Sequence, residues 1–393
     1  MKVLFLLWES YGTYGILRAF KERGDEVDTM PIDRNQDMRL NQDLAEKLIR
    51  RMAEKHYDMV FTYNYFPVVS LACNSCGIKY VSWVYDSPLV TLYSNTIHFP
   101  YNYVFVFDKM TYYDLRKCGV NTVYYMPLAA DVEVCDSYIM PEEMHDIYNA
   151  PIAFVGSTYT ERKNQLFRRL QGVNAYTRGY LEGIMQAQKN IYGAMLLEEM
   201  LTPEIMEEIQ RVRPWNQNVD GFERASWVFA HYHMSRHITG LQRQEILEML
   251  SEKYKVVLYT YEKTPSLPKV ENRGPSGYQK EAAFIYRCSK INLNITLRSI
   301  MSGIPLRAFE VMGNGGFLLS NYQEDFLDYF VPGEDFDYFS SNEDLMEKVE
   351  YYLSHEKERK EIARNGYEKV KKYHTYKVRL EEMIAVVCNS DNS

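Results

Sequence analysis

The feature that most constrains the fold is a repeated order of elements, in which a buried apolar strand leads through a loop into a helix. The first half of the chain opens with KVLFLLW and ILRAFKERG, and the theme returns with the strands YDMVFTYN, IKYVSWVYDS and YNYVFVFD. Strands that are apolar along their whole length, alternating with helices, are typical of a parallel sheet covered on both faces. The first half is therefore predicted to be a doubly wound α/β domain.

A second unit of the same kind follows an irregular stretch. The pattern lapses over 131–150, and APIAFVGSTYTERK then restarts the order of strand, glycine loop and helix. A length of 393 residues provides enough chain for two cores. We therefore predict an N-terminal domain at 1–130, a linker at 131–150 and a C-terminal domain at 151–372, with a helical insertion at about 171–240. Residues 373–393 are predicted to form a C-terminal helix that packs back on the first domain.

Charge and composition exclude several classes of protein. Charged residues make up 25% of the chain and the net charge is −8, so there is no surplus of Lys and Arg to bind nucleic acid. The apolar run at the N-terminus ends at Glu9, too early for a signal peptide, and no apolar stretch is long enough for a transmembrane span. Six scattered cysteines fit a reducing compartment. We expect a cytoplasmic protein, and a homo-oligomer is left open.

The segment richest in chemical information is INLNITLRSIMSGIPLRAFEVMGNGGFLLSN. A strand ends near Thr296, a loop carries Ser302 and Gly303, and a helix bearing Arg307 and Glu310 follows. Ligands of open α/β sheets bind beyond the carboxyl ends of the strands, where helix N-termini attract phosphate. Gly303 lets backbone amides approach a diphosphate closely, and Glu310 lies about one turn into the helix, within reach of a ribose diol. We predict a site for a nucleoside diphosphate.

The same stretch resembles a known family. SGIPLRAFEVMGNGGFLL, with FVGSTYTERK before it and PGEDFDYFSSNEDLMEKVEYYLS after it, resembles the C-terminal half of the spore maturation protein CgeB family of glycosyltransferases. YVSWVYDSP resembles that family's N-terminal domain. The resemblance implies the GT-B architecture, with two facing Rossmann-like domains, the acceptor on the first and a nucleotide sugar on the second. It also implies neither a metal nor any cofactor besides the nucleotide sugar, which we expect to be UDP-linked.

The wider retaining group of such enzymes carries a Glu-x7-Glu motif. Its second Glu matches Glu310, whose implied role is to bind the ribose hydroxyls, and the first falls on Ser302. The missing Glu normally contacts the transferred sugar. The sugar and the stereochemical outcome are therefore left open.

Further donor contacts are expected around the first strand of the second domain. Gly156 stands at the end of that strand, and Arg162 or Lys163, entering the next helix, would neutralise diphosphate charge. The alternative is that both cations are simply solvated. Arg307 is a further donor candidate, or it braces its helix against Glu310. Nucleobase stacking is assigned to the tyrosines on either side of a Pro-rich loop, Tyr261 and Tyr278.

Asp86 is the candidate catalytic residue of the first domain. It follows the apolar run YVSWVY, which places its carboxylate at the carboxyl end of a strand. In an inverting enzyme it would take the proton of the acceptor, and in a retaining enzyme it would orient sugar hydroxyls. The alternative is that Asp86 caps the turn ahead of Pro88. Glu9, at the end of the first strand, is a weaker candidate.

Two motifs are typical of metal sites but favour other roles here. Asp335 and Asp337 form a DxD after a Pro-Gly turn, well after the donor loop, and are predicted to lie in a solvated loop. The histidines of HYHMSRH lack the acidic partner of a zinc motif, and a helical surface or an acceptor contact is expected for them. No metal site is predicted.

These observations predict a metal-independent glycosyltransferase of the hexosyltransferase type. The donor would be a UDP-linked sugar, and the acceptor a polysaccharide, a protein, or a cell-surface or spore precursor. Two alternatives stay open: a nucleotide-sugar epimerase of the same fold, and a protein that binds nucleotide sugars without turnover.

Overall fold

The structure is a computed structural model that describes residues 1–277 and 279–389. The chain divides into two compact units. Unit 1 comprises Met1–Ala129, Gln217–Arg224 and the described residues from His374 onward. Unit 2 comprises Ala130–Asn216 and Ala225–Tyr373. No helix in the described part of the chain is both long and apolar enough to cross a membrane.

Unit 1 is built on a parallel sheet of six strands in the order β2-β1-β3-β4-β5-β6. Its core is aromatic, since the ring of Phe61 makes edge contacts with Phe5, Phe20 and Tyr63. The strands are β1 Lys2–Leu7, β2 Glu26–Pro31, β3 Met59–Tyr63, β4 Lys79–Trp83, β5 Asn102–Val106 and β6 Val123–Tyr125. The helices of its first segment are α1 Thr13–Glu22, α2 Gln42–Glu54, α3 Pro67–Cys76 and α4 Lys109–Lys117, with 3₁₀ turns at Val90–Tyr93 and Asn95–His98.

Unit 2 has a second parallel sheet, ordered β12-β11-β10-β7-β8-β9. Its strands are β7 Ala150–Val155, β8 Val256–Tyr259, β9 Glu271–Asn272, β10 Ser289–Asn294, β11 Leu318–Asn321 and β12 Asp337–Phe339. Its helices are α5 Val132–Ser137, α6 Glu142–Tyr148, α7 Ala175–Lys189, α8 Leu197–Met200, α9 Pro203–Val212, α10 Ala225–Val228, α11 Ser235–Ser251, α12 Lys280–Cys288, α13 Leu306–Gly313, α14 Asn342–Ser354 and α15 Glu356–Tyr373. A π-helical turn, Phe229–Met234, joins α10 to α11, and 3₁₀ turns lie at Arg162–Asn164, Leu166–Leu170 and Glu324–Asp328.

The last helix, α16, spans Tyr376–Asn389 and lies within unit 1. Its first residue packs against α1, where a Cβ built on Gly15 would come within 2.4 Å of the Tyr376 ring. The Lys79 ammonium group donates to the carbonyl of Val387 at 3.0 Å. The helix is therefore part of the packing of unit 1.

The prediction of an α/β chain with two Rossmann-like sheets and a helical insertion is confirmed. The insertion has an apolar cluster of its own, in which Leu181, Ile209, Phe229 and Ile238 are completely buried. This cluster explains how a long helical segment is held inside an α/β unit.

The linker predicted at 131–150 is wrong. The structure has α5 and α6 there, both within unit 2. The Arg287 guanidinium donates to the carbonyls of Cys135 and Tyr138, which holds the end of α5. These helices are too short and too polar to show an apolar period in the sequence. The predicted insertion is also divided, since Gln217–Arg224 belongs to unit 1.

Candidate functional site

The carboxyl end of the unit 2 sheet brings together two residues predicted from separate motifs. Gly156 directly follows β7 and has a φ of 149°. A Cβ built on Gly156 would lie 2.5 Å from a terminal nitrogen of Arg307, which is carried by α13. The Arg307 guanidinium therefore rests on the bare backbone after β7. Any larger residue at position 156 would have to displace it.

A second guanidinium at this edge, Arg243, was not predicted. Arg243 comes from α11, is only 3% exposed, and donates to the carbonyls of Ser157 at 2.6 Å and Ile295 at 3.0 Å. It thereby ties the loop after β7 to the chain after β10. Burial, with a smaller contribution from the positive charge of Arg307, lowers the pKa of Arg243 to about 9, against the opposing effects of Tyr159 and Glu161.

Both guanidinium groups flank one aromatic ring. The carbon centre of Arg243 lies 5.1 Å from the ring centre of Phe154, and that of Arg307 lies 5.5 Å from it. Within residues 1–277 and 279–389, neither guanidinium forms an ion pair with a carboxylate. Two cations near one ring, neither of them paired with a carboxylate at ion-pair distance, are an arrangement that favours an anion.

Glu310 and Tyr286 complete this group of side chains. Glu310 lies in the second turn of α13, and burial raises its pKa to about 7, against the opposing effect of Arg307. Tyr286 of α12 is 3% exposed; burial raises the pKa of its hydroxyl, the neighbouring Glu310 raises it further, and Arg307 opposes the rise. We name Gly156, Arg243, Tyr286, Arg307 and Glu310 the β7 edge cluster.

The loop that carries Ser302 and Gly303 leads into the N-terminus of α13. Both residues are buried, and their carbonyls accept hydrogen bonds from the Asp325 amide at 3.0 Å and the Gln323 side chain at 3.1 Å. Pro305 is the N-cap of α13, and it supplies no side-chain acceptor to the first turn. The N-terminal amides of α13 are therefore left uncapped by a side chain, as a phosphate-binding helix requires.

The other predicted donor residues form no hydrogen bond or ion pair with this cluster among the described residues. Arg162 and Lys163 are exposed, and they begin a 3₁₀ turn of three residues instead of the predicted helix. The loop before them is closed on itself, because Ser157 donates to the carboxylate of Glu161 at 2.5 Å. Tyr261 follows β8 and is 84% exposed. Tyr278 lies outside the described residues.

At the carboxyl end of the unit 1 sheet, Asp86 is held by Asn64. The Asn64 side-chain amide donates to the Asp86 carboxylate at 2.8 Å, and its oxygen accepts from the backbone amides of Tyr85 at 2.9 Å and Asp86 at 3.1 Å. Asn64 follows β3 with a φ of 60°, and Asp86 follows β4 and is exposed. The carboxylate is thus oriented by a neighbouring loop and remains open to solvent.

The prediction of a solvated loop for Asp335 and Asp337 is wrong, because both are buried. Asp335 pairs with Lys369 at 2.5 Å, and Asp337 pairs with Lys348 at 3.0 Å. Asp337 also accepts from the Tyr352 hydroxyl at 2.8 Å. These carboxylates hold β12 against the helices that follow it.

The expected helical surface for the histidines is also wrong. His231 and His233 are buried in the π-helical turn, where His231 stacks on Trp227 with ring centres 4.9 Å apart. Burial lowers the pKa of His233 to about 4. The described residues contain no group of three or more His, Cys, Asp or Glu side chains that could hold a metal ion.

One signal in the sequence could have revealed Arg243. It lies three residues before Ile246 and four before Leu247, so it is on the apolar face of α11. A cation on a buried helix face requires a partner, and the partners here are backbone carbonyls at the sheet edge. Tyr286 carries no such signal, because a buried tyrosine on an amphipathic helix is ordinary.

Comparisons with known proteins agree with this architecture. A family model described as glycosyl transferase-like matches residues 236–385, which include α11, β10 and α13. No curated protein sequence gives a significant match.

Solved structures with a similar fold span the whole chain. Sucrose-phosphate synthase from Thermosynechococcus elongatus is 10% identical, with a TM-score of 0.57 and 100% of both chains covered. The HepE protein of Anabaena, in complex with UDP and glucose, is 8% identical, with a TM-score of 0.56 over 99% of this chain and 100% of that one. A glycosyltransferase from Rickettsia africae is 11% identical, with a TM-score of 0.55 over 98% and 97%. At these identities, the likeness shows a shared two-sheet α/β fold, the GT-B glycosyltransferase fold.

Proposed function

We propose that this protein is a glycosyltransferase that takes its sugar from a UDP-linked donor bound at the β7 edge cluster. The observation that carries the proposal is the pair of guanidinium groups, Arg243 and Arg307, at the carboxyl end of β7 without a carboxylate partner. The glycosyl transferase-like match over 236–385 includes both residues. The structurally similar HepE protein was solved with UDP and glucose, which agrees with the choice of nucleotide.

A diphosphate fits the charge of this edge. Arg243 is buried and held by carbonyls, so its charge is incompletely compensated in the free protein. Arg307 is partly buried and lies on the Gly156 backbone, where its planar fork can bind phosphate oxygens in pairs. The first turn of α13, which no side chain caps, adds backbone N–H groups whose partial positive charge also attracts phosphate. Because guanidinium groups and amides supply this positive charge, we propose that transfer needs no divalent metal.

Glu310 is proposed to bind the ribose of the donor. Its carboxylate lies one turn beyond the helix end that would hold the phosphates, a spacing that suits the adjacent ribose. Removing the carboxyl in Glu310→Ala should weaken binding of a UDP-sugar by about 1.5–3 kcal/mol, as expected for hydrogen bonds to a charged group. Unchanged affinity in a calorimetric titration would exclude Glu310 from the site.

Asp86 is proposed to act on the acceptor. Its exposed carboxylate, oriented by Asn64, can take a proton from an acceptor hydroxyl, or orient sugar hydroxyls if the enzyme retains configuration. We propose a polysaccharide, a protein, or a cell-surface or spore precursor as acceptor, in a CgeB-like enzyme of the cytoplasm. The stereochemistry depends on what replaces the Glu that is absent at Ser302.

The direct test follows the fate of a radiolabelled donor. UDP-linked sugars, with ADP- and GDP-linked sugars as controls, are first ranked by the rise in melting temperature that each produces. The best donor is then incubated with the protein, with and without EDTA. Release of free nucleoside diphosphate at a rate that EDTA leaves unchanged is the expected result.

Other outcomes identify the alternatives. Isomerisation of the donor without release of diphosphate would identify an epimerase. Tight binding without turnover, across donors and candidate acceptors, would identify a nucleotide-sugar sensor. Binding that Arg307→Ala leaves unchanged would contradict the proposed location of the site.

A further inference from the structure

Three soft donor atoms meet on the surface of unit 2, in a part of the chain that the proposed function does not use. The Cys288 sulfur lies 3.4 Å from the sulfur of Met140 and 3.8 Å from Nδ1 of His145. Cys288 is the last residue of α12, His145 lies in α6, and Met140 lies in the loop between α5 and α6. We name these three residues the thiol–thioether–imidazole cluster.

We propose that this cluster binds a soft monovalent metal cation, of which Cu(I) is the biological example. Thiolate and thioether ligands select Cu(I), and imidazole also suits copper. Oxygen donors, which Mg²⁺ and Ca²⁺ prefer, are absent from this trio.

The separation of Cys288 and His145 fits a three-coordinate ion, and that of Cys288 and Met140 is close to what such an ion requires. With metal–sulfur bonds of about 2.3 Å and a metal–nitrogen bond of about 2.0 Å, trigonal geometry requires about 4.0 Å between the sulfurs and about 3.7 Å between sulfur and nitrogen. The Cys288–His145 distance of 3.8 Å already matches. The sulfurs, now 3.4 Å apart, need to separate slightly, which the flexible Met140 side chain permits.

The charge balance also favours a monovalent ion. Binding converts the Cys288 thiol into a thiolate, forms one metal–thiolate bond and releases one proton to solvent. The thiolate and the monovalent cation then leave the site neutral, since the other two ligands carry no charge. No change of oxidation state is involved.

The test uses Ag(I) as a redox-inert probe of the reduced, full-length protein. Methionine methyl groups are labelled with ¹³C, and the Met140 resonance, one of 19, is assigned from its absence in Met140→Leu. One equivalent of Ag⁺ is expected to move that resonance, and Cys288→Ser is expected to abolish the movement. Cys118→Ser, which changes a partly buried thiol elsewhere in the chain, is the matched control and should leave it intact.

Affinity provides the second measurement. In competition with a Cu(I) chelator under anaerobic conditions, His145→Gln and Met140→Leu are each expected to weaken binding by about tenfold or more. Met144→Leu, on the same helix as His145, controls for loss of a methionine. The proposal fails if the Met140 resonance is unmoved at one equivalent, or if Cys288→Ser binds Cu(I) as tightly as the parent protein. Neither readout depends on sugar transfer, so failure here leaves the proposed function untouched.

Discussion

The carboxyl end of the unit 2 sheet holds the guanidinium groups of Arg243 and Arg307 and the carboxyl of Glu310, whose pKa burial raises. The carboxyl end of the unit 1 sheet instead presents the exposed Asp86, which Asn64 orients. Both sheets are parallel, so the fold provides the same kind of edge twice. The difference lies in which elements supply the side chains. Arg243 and Arg307 reach the edge from helices, while Asn64 and Asp86 belong to the loops that follow the strands.

Under the proposed function, this difference gives the two edges separate chemical tasks. The buried Arg243, held by carbonyls, and the partly buried Arg307 beside it suit a ligand that brings its own negative charge, such as a diphosphate. A solvent-exposed carboxylate suits a polar group that gives up a proton or needs orientation, such as a hydroxyl. Changes at the unit 1 edge should therefore affect turnover, and changes at the unit 2 edge should affect donor affinity.

The largest expected effect is on turnover, from Asp86→Asn. Asparagine has nearly the size of aspartate and can still form hydrogen bonds, but it cannot accept a proton as a base. We therefore expect kcat to fall by about 100-fold to 10,000-fold. Donor affinity, measured by calorimetry, should stay within about twofold. Glu9→Gln, the competing exposed carboxylate at the end of β1, serves as the matched control and should retain activity. Full activity in Asp86→Asn, or a loss only in Glu9→Gln, would remove Asp86 from the chemistry.

The second effect is on donor affinity, from Arg307→Ala. Loss of a charge-assisted contact should weaken binding of a UDP-sugar by about 1.5–3 kcal/mol, roughly 10-fold to 150-fold in Kd. Arg307→Lys should recover part of the affinity, because the charge returns without the planar fork. Equal affinities for Arg307→Ala and the parent protein in calorimetry would contradict the claim that the unit 2 edge binds the donor.

The third effect is a pH dependence caused by the Glu310 carboxyl. As pH rises, its ionisation should lower the free energy of unfolding and raise the affinity for a UDP-sugar. The pKa of this carboxyl is 4.5 in the unfolded chain and about 7 in the folded one, because burial raises it against the opposing effect of Arg307. The other titratable groups beside it are Tyr286 and Cys135. Through this carboxyl the folded protein binds more protons between these values, which lowers the free energy of unfolding as pH rises from 4.5 to 7. The expected loss is about 1–3 kcal/mol. His233, whose pKa burial lowers from 6.5 to about 4, has the opposite effect over pH 4–6.5, so the Glu310 contribution is the difference between the parent protein and Glu310→Gln. The affinity for a UDP-sugar should rise over pH 6–8, since the ionised carboxyl accepts hydrogen bonds from the ribose.

Two measurements separate these directions. Denaturant unfolding of the free protein measures the free energy of unfolding as a function of pH, and calorimetry measures the affinity for a UDP-sugar as a function of pH. A UDP-sugar is preferable to UDP, because the terminal phosphate of UDP itself titrates with a pKa near 6. Glu310→Gln should flatten the affinity profile and remove the Glu310 contribution to the stability profile, which leaves the opposite trend of His233. A variant that keeps the parent profile would show that another group titrates.

The sequence predicted the sheets well because buried parallel strands are written as continuous apolar runs, such as KVLFLLW before Glu9. The predicted position of Gly156 after a strand and of Arg307 and Glu310 on a helix agrees with the structure, while their role in donor binding stays a prediction. The sequence could not place Arg243, because the order of helices along the chain does not state which helix face meets which strand end. The buried pairs of Asp335 and Asp337 were missed for a related reason, since their lysine partners follow 34 and 11 residues later along the chain, respectively.

The smallest expected effect concerns the two cations that the sequence favoured and the structure leaves on the surface. Arg162 and Lys163 are exposed and begin a short 3₁₀ turn, and no ion pair joins either of them to another described residue. Exposed charges contribute little, so Arg162→Ala and Lys163→Ala should each change donor affinity by less than about 0.5 kcal/mol at physiological salt. The measurement is calorimetry alongside Arg307→Ala. If Arg162→Ala loses as much donor affinity as Arg307→Ala, the loop after β7 moves onto the donor. The cations that bind the donor would then include loop residues as well as Arg243 and Arg307, which helices position.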